Sequence, residues 1–278
     1  MDNNRILLTY PSLQYSNSAS PIPNTSTFES HCHGTYEIIY ILQGGGKHIV
    51  EGIEYPLHPH ALLLMRPYEY HYVCPDRNRA YERIVLYFDE DALPTAVKSH
   101  PLLHDYSGNY FPLNTLNNPI RAAFDALDGI GALSQNGTVN TPEAEALLRA
   151  TITQIVLLLT KETPETPLSD DLGVVHRVIE HLNGHLTEEL SLEALAREFF
   201  ISKYHLCRIF HRQTGASIFT YFNTKRIALA QQMIADGENA TAVAMRLGFR
   251  DYSTFYRAYR KQTGQAPVRK LHRESENE

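Results

Sequence analysis

The 278 residues are 43% hydrophobic and 20% charged, with 25 Lys and Arg against 31 Asp and Glu. This is a globular composition that excludes disordered and collagen-like chains. The net charge of −6 is unevenly placed: residues 1–171 carry −10 and residues 172–273 carry +7, so only the C-terminal third is suited to meet phosphate. The N-terminus lacks a signal-peptide pattern, and no run approaches the roughly 18 apolar residues that span a bilayer. Cys32, Cys74 and Cys207 are odd in number and far apart, which fits reduced thiols. A cytoplasmic protein with no membrane partner is expected.

At this length two cores are the better design. From His31 to Phe88 short β-rich runs, 36–42, 47–50, 61–65, 70–73 and 82–88, alternate with Gly and Pro turns, the pattern of a barrel or sandwich. Two helical stretches follow, Pro119 to about Leu133 and Pro142 to Lys161. In the second, Ala144, Leu147, Leu148, Thr151, Ile155, Leu158 and Leu159 form an apolar stripe that needs a partner surface. The stripe is longer than a small barrel needs to cover, so it predicts a homodimer. Residues 162–171 hold two prolines among acidic and hydroxyl residues and read as a linker. The expected organisation is a β-rich, dimerising domain over 1–161, a linker over 162–171 and an all-helical domain over 172–278.

That helical domain contains an internal duplication. Gln213, Thr214 and Gly215 recur as Gln262, Thr263 and Gly264, and Leu206, Arg208, Phe210 and Arg212 recur as Phe255, Arg257, Tyr259 and Lys261. Each copy reads as a short helix, a tight turn and a longer basic-aromatic helix closed by Gly, which is helix-turn-helix.

The segment 202–210, Tyr221 with Arg226, and the run from Gly248 to Phe255 with Gly264 and Pro267 resemble the DNA-binding domain of AraC/XylS-type transcription regulators. His31, His33, Glu37, Gly44, Pro67 and His71 resemble the cupin-like sensor carried by many members. The resemblance implies a mixed fold, a cupin-like β-barrel with following helices and then an all-α domain with two helix-turn-helix motifs. It also implies duplex DNA, a small-molecule effector such as a sugar, and RNA polymerase as partners, with no catalytic residue. The chain departs from the family at Phe200, which matches Gly248, at His60, where a turn glycine is expected, and in its closing segment after Pro267.

Recognition helices turn long donors to base edges and bury apolar residues. In the first copy Leu206, Ile209 and Phe210 are assigned inward and Lys203, Tyr204, Cys207, Arg208 and His211 outward, with Arg208 the base reader. In the second, Phe255 and Tyr259 face inward, Tyr252, Ser253, Thr254 and Arg257 face DNA, and Arg250, Arg260 and Lys261 meet phosphates. Arg226 is expected to be a structural ion-pair partner. His31, His33, Glu37 and His71 are read first as the lining of an effector pocket, with no cofactor. The same four would also make a set for Zn, Fe, Mn or Ni, and a metal-dependent cupin enzyme fused to a DNA-binding module is the alternative.

Overall fold

A computed structural model of the chain describes residues 3–21, 23, 30–104, 108–113, 118–132, 141–165 and 173–267. They fall into two units, Met1–Asp170 and Asp171–Glu278.

The first unit contains β1 (Asn3–Tyr10), β2 (Leu13–Ser20), β3 (Tyr36–Gln43), β4 (Gly46–Val50), β5 (Ile53–Pro56), β6 (Ala61–Met65), β7 (His71–Pro75), β8 (Tyr81–Phe88) and β9 (Tyr110–Pro112). They pair antiparallel as two sheets, β1-β2-β8-β3-β6-β9 and β5-β4-β7. Beyond the five expected runs the fold adds β1, β2, β5 and β9. Asn, Ser and Gln interrupt the apolar alternation of β2, and β9 is only three residues long.

The central strands are buried on both faces, and their period of two sorts the faces. Ile39, Ile41, Leu63 and Val85 pack with Val50, Tyr55 and Val73 of the smaller sheet, which makes a sandwich-like barrel interior. Tyr36, Ile38, Tyr40, Leu62, Leu64, Ile84 and Leu86 form a second core with the helices α1 (Thr95–Lys98), α2 (Pro101–His104), α3 (Pro119–Ala132) and α4 (Pro142–Leu159). Thr141 caps α4, its side chain accepting from the Ala144 N–H, and Pro142 sits where a helix has no N–H to satisfy.

The buried stripe of α4 is Leu148, Ile152, Ile155, Val156 and Leu159, rotated from the expected one. Leu147 is half exposed, and Ala144, Thr151 and Leu158 are only partly covered. The sequence of α4 is apolar around much of its circumference, so spacing alone did not choose the face; contact with the sheet did. Of the stretch read as a linker, residues 162–165 are described. The Glu165 N–H donates to the Tyr110 carbonyl at 2.8 Å, pinning that residue to β9, and 166–172 lie outside the described residues.

The second unit runs α5 (Val174–Gly184), α6 (Leu192–Glu198), α7 (Lys203–Thr214), α8 (Ile218–Ala235), α9 (Ala240–Arg246) and α10 (Tyr252–Thr263). Ser191, Ser202, Ser217, Asn239 and Asp251 cap the starts of α6 to α10 with side-chain oxygens, each cap supplying about 1 kcal/mol. Gly215 and Gly264 close α7 and α10 in left-handed conformation. The closing segment after Pro267, where the chain departs from the family pattern, lies outside the described residues.

Candidate DNA-binding face and effector cavity

The two helix-turn-helix turns share one hydrogen-bond pattern. Phe200 N–H donates to Arg197 O and Ile201 N–H to Ala196 O; Gly248 N–H donates to Met245 O and Phe249 N–H to Ala244 O, all at 3.0–3.2 Å. This tight helix ending places the turn residue at positive φ, 55° for Phe200 and 69° for Gly248. Phe200 therefore takes the strained conformation. Its ring is 95% exposed, so neighbouring packing does not enforce it.

From those turns α7 and α10 project. Leu206 and Phe210 are buried and Ile209 is half-buried at the core margin. Lys203, Tyr204, Arg208 and His211 are exposed, Cys207 half so. Lys203 pairs with Glu193 at 2.5 Å, and Arg208 donates to the His205 ring at 3.2 Å. In α10, Phe255 and Tyr259 are buried, while Tyr252, Ser253, Arg257, Arg260 and Lys261, and Arg250 just before the helix, are exposed. Thr254 is otherwise employed: its N–H and hydroxyl donate to the Asp251 carboxylate at 2.7 and 3.1 Å, which holds that carboxyl below its ordinary range. It is thus part of the helix cap while remaining half-exposed on α10.

Arg226 is structural, but its partners are main-chain oxygens rather than a carboxylate. It lies 6% exposed on α8, with Nε on Leu186 O at 2.8 Å, Nη2 on Glu188 O, and Nη1 reaching Gly248 O at 3.5 Å. Its guanidinium also covers the Phe222 ring at 4.3 Å. The expected ion pair is replaced because carbonyls at the end of α5 and in the second turn converge there.

In the first unit the ligand atoms of His31, His33, Glu37 and His71 lie within 4.8 Å of one another. An isolated bridge fixes His31 against His71, with N–H to O distances of 3.1 and 2.9 Å in the two directions. Glu37 is placed by β3, and its phase in the strand turns it to the barrel interior with Ile39. Glu37 Oε2 is 2.9 Å from His33 Nε2 and 2.9 Å from His71 Nε2. Burial alone would raise the Glu37 carboxyl, but the His33 hydrogen bond and the two imidazoles outweigh it and hold it far below the carboxylate range. Burial would lower His71, yet the Glu37 charge raises it.

His31, Glu37 and His71, but not His33, line a cavity of about 250 Å³ together with Gln14, Ser16 and Ser18 of β2, Tyr81, Arg83 and Tyr87 of β8, and His48 of β4. His48 lies outside the sequence motifs. It is buried, neither ring nitrogen has a hydrogen-bond partner, and burial followed by the neighbouring His71 pushes it down to about 3. His48 shares strand phase with the interior residue Val50. The cavity combines amide, hydroxyl, imidazole and guanidinium groups on apolar walls, the composition of a small-molecule site.

A basic pair of helix-turn-helix motifs in one unit and a polar-lined cavity in the other define a ligand-responsive DNA-binding regulator of transcription. Residues 195–273 match the family model described as a helix-turn-helix domain, and residues 20–152 match the AraC-like ligand-binding domain. The chain thus carries an AraC-type helix-turn-helix domain and an AraC-like ligand-binding domain. It is 24% identical over 260 residues to the HTH-type transcriptional activator RhaS of Escherichia coli O81 (strain ED1a), and equally to that of Shigella flexneri, covering 93% of this chain and 92% of each relative. Among solved structures, ToxT from Vibrio cholerae O395 is 14% identical over 93% of this chain and 96% of its own, with a TM-score of 0.37. The DNA-binding domain of AdpA with target DNA is 28% identical over 33% of this chain and 83% of its own, with a TM-score of 0.32. No helix among the described residues is long and apolar enough to cross a membrane.

Proposed function

We propose that an effector enters the β-sheet cavity and changes how a homodimer engages two DNA sites, and that the bound dimer recruits RNA polymerase as an activator. The cavity carries this reading, because it places hydrogen-bonding groups of both charge types around one hollow within the sensor unit. Its hydroxyl, amide and guanidinium lining suits a polar, hydroxylated molecule such as a sugar. Activation is supported by the relatives, which are named as activators.

Dimerisation through α4 falls to the outer face, where Ala146, Leu147, Ala150 and Leu157 are exposed, rather than to the buried Leu148 and Ile155. On DNA, Arg208 reads a base from α7, with Tyr204 and Cys207 beside it. Tyr252, Ser253 and Arg257 serve α10, and Arg250, Arg260 and Lys261 hold phosphates.

Genome-wide mapping of DNA bound by the full chain, with and without compounds that raise its melting temperature, tests the proposal. The expected result is a small set of sites whose occupancy changes with one such compound. Occupancy that no stabilising compound alters would overturn it.

A further inference from the structure

We propose that the DNA-binding unit holds a divalent transition-metal ion on His181 and His185 at the end of α5, and that the ion fastens the segment that follows. The site belongs to the second unit alone and does not depend on the sensor cavity.

His181 and His185 stand four residues apart, the spacing that brings two side chains to one face of a helix and that serves paired zinc-binding histidines. Their rings stack with centroids 4.1 Å apart and planes 17° from parallel. That is close to the separation at which one ion can sit about 2 Å from a nitrogen of each ring. Both tautomers are preset. His181 Nδ1 lies 2.9 Å from Glu198 Oε1, and His185 Nδ1 lies 2.6 Å from the His181 carbonyl oxygen. An ionised carboxylate and a carbonyl only accept, so each Nδ1 carries the proton and each neutral ring keeps its lone pair on Nε2. A carboxylate behind one imidazole and a main-chain carbonyl behind the other are the two supports that commonly orient metal-bound histidines.

The two half-buried rings line a hollow of about 230 Å³ that Glu188, Glu189 and Ser191 also border. Both glutamates are exposed, so turning one carboxylate to the ion costs little beyond side-chain freedom. Two imidazoles, one carboxylate and a water make a four-coordinate set for Zn, Co or Ni; hard Ca or Mg would want oxygens throughout.

The same short segment holds Arg226. The Leu186 and Glu188 carbonyls accept from its guanidinium, which reaches the Gly248 carbonyl of the second turn at 3.5 Å. The Glu188 N–H in turn donates to the His185 carbonyl at 3.0 Å. An ion that joins Glu188 or Glu189 to α5 therefore fixes the carbonyls on which Arg226 rests.

The test uses untagged full-length chain carrying His31→Ala and His33→Ala, so that the sensor histidines do not compete, stripped with chelator and titrated with Zn, Ni and Co. At least one metal should bind at one ion per chain, Co should show ligand-field absorption, and amide exchange at Glu188 should slow with the ion bound. Adding His181→Asn and His185→Asn keeps a donor near each Nδ1 position. That chain should retain its circular dichroism and lose metal affinity by at least about tenfold. In the chain with its sensor histidines intact, the same two changes should lower the metal content by one ion.

No stoichiometric ion with any of the three metals, or equal affinity in the folded chains with and without His181 and His185, overturns the site. An ion that binds through these histidines but leaves exchange at Glu188 unchanged overturns the fastening of the segment.

Discussion

The guanidinium of Arg226 sits over the turn at Gly248, its Nη2 2.9 Å from where a β-carbon on that glycine would lie. Arg226 cannot easily yield, because the Leu186 and Glu188 carbonyls hold it from the other side. The matching turn in the first motif carries Phe200 at φ 55°, its ring in solvent. The duplicated turns therefore tolerate different residues.

Gly248→Ala should cost roughly 2–3 kcal/mol, adding left-handed strain to displacement of a buried guanidinium. Phe200→Gly should gain about 1 kcal/mol, since it relieves strain that no packing repays. Urea melts of the two variants check both signs. Equal effects at the two turns would show that Arg226 does not distinguish them.

Leu148→Glu should unfold the first unit, because the residue is fully buried among sheet and helix side chains and an unpaired buried carboxylate is prohibitive. Leu147→Glu with Leu157→Glu should leave the fold intact and yield monomers by sedimentation. A dimer surviving that pair of changes would put the interface elsewhere than on α4.

On DNA, Arg208→Ala should cost roughly 1–3 kcal/mol and relax preference at one base pair, as expected for a guanidinium bonding a guanine. Lys261→Ala should weaken all sequences alike and lower the salt slope by about one. Binding of both variants to a panel of single-base operator changes separates the roles. Uniform weakening by Arg208→Ala would make Arg208 a phosphate anchor.

His60 joins the sheet to α3: Arg121 Nη2 lies 3.2 Å from its Nε2 and the Tyr40 hydroxyl 2.9 Å from its Nδ1. Burial, then the charge of Arg121, lowers its pKa below the ordinary histidine value. The unfolded chain thus binds this proton more readily, so the contribution of His60 is complete above about pH 6.5 and fades as pH falls below it. His60→Asn keeps a side chain tolerant of the φ of 66° and removes the titration. Its melting temperature should fall less than that of the parent between pH 7 and 5. Parallel curves for the two proteins would remove His60 as a source of acid sensitivity.

The DNA-binding half was legible because its information is local. Caps such as Ser202 and Asp251, closing glycines such as Gly215 and Gly264, and a repeat that recurs at fixed offset all act within a few residues of where they stand. Much of the sensor was not legible. Convergence of His31 and His33 with Glu37 and His71 was expected from likeness to a known pattern, but the inward turn of His48 depends on which face of β4 meets the other sheet. The face of α4 was ambiguous because its sequence is apolar on more than one side, and only packing against the sheet chose Ile152 and Val156 over Leu147. Arg226 shows the same limit: the sequence marks a buried cation, but whether carboxylates or carbonyls surround it is decided by chain segments about 20 and 40 residues away that only folding brings together.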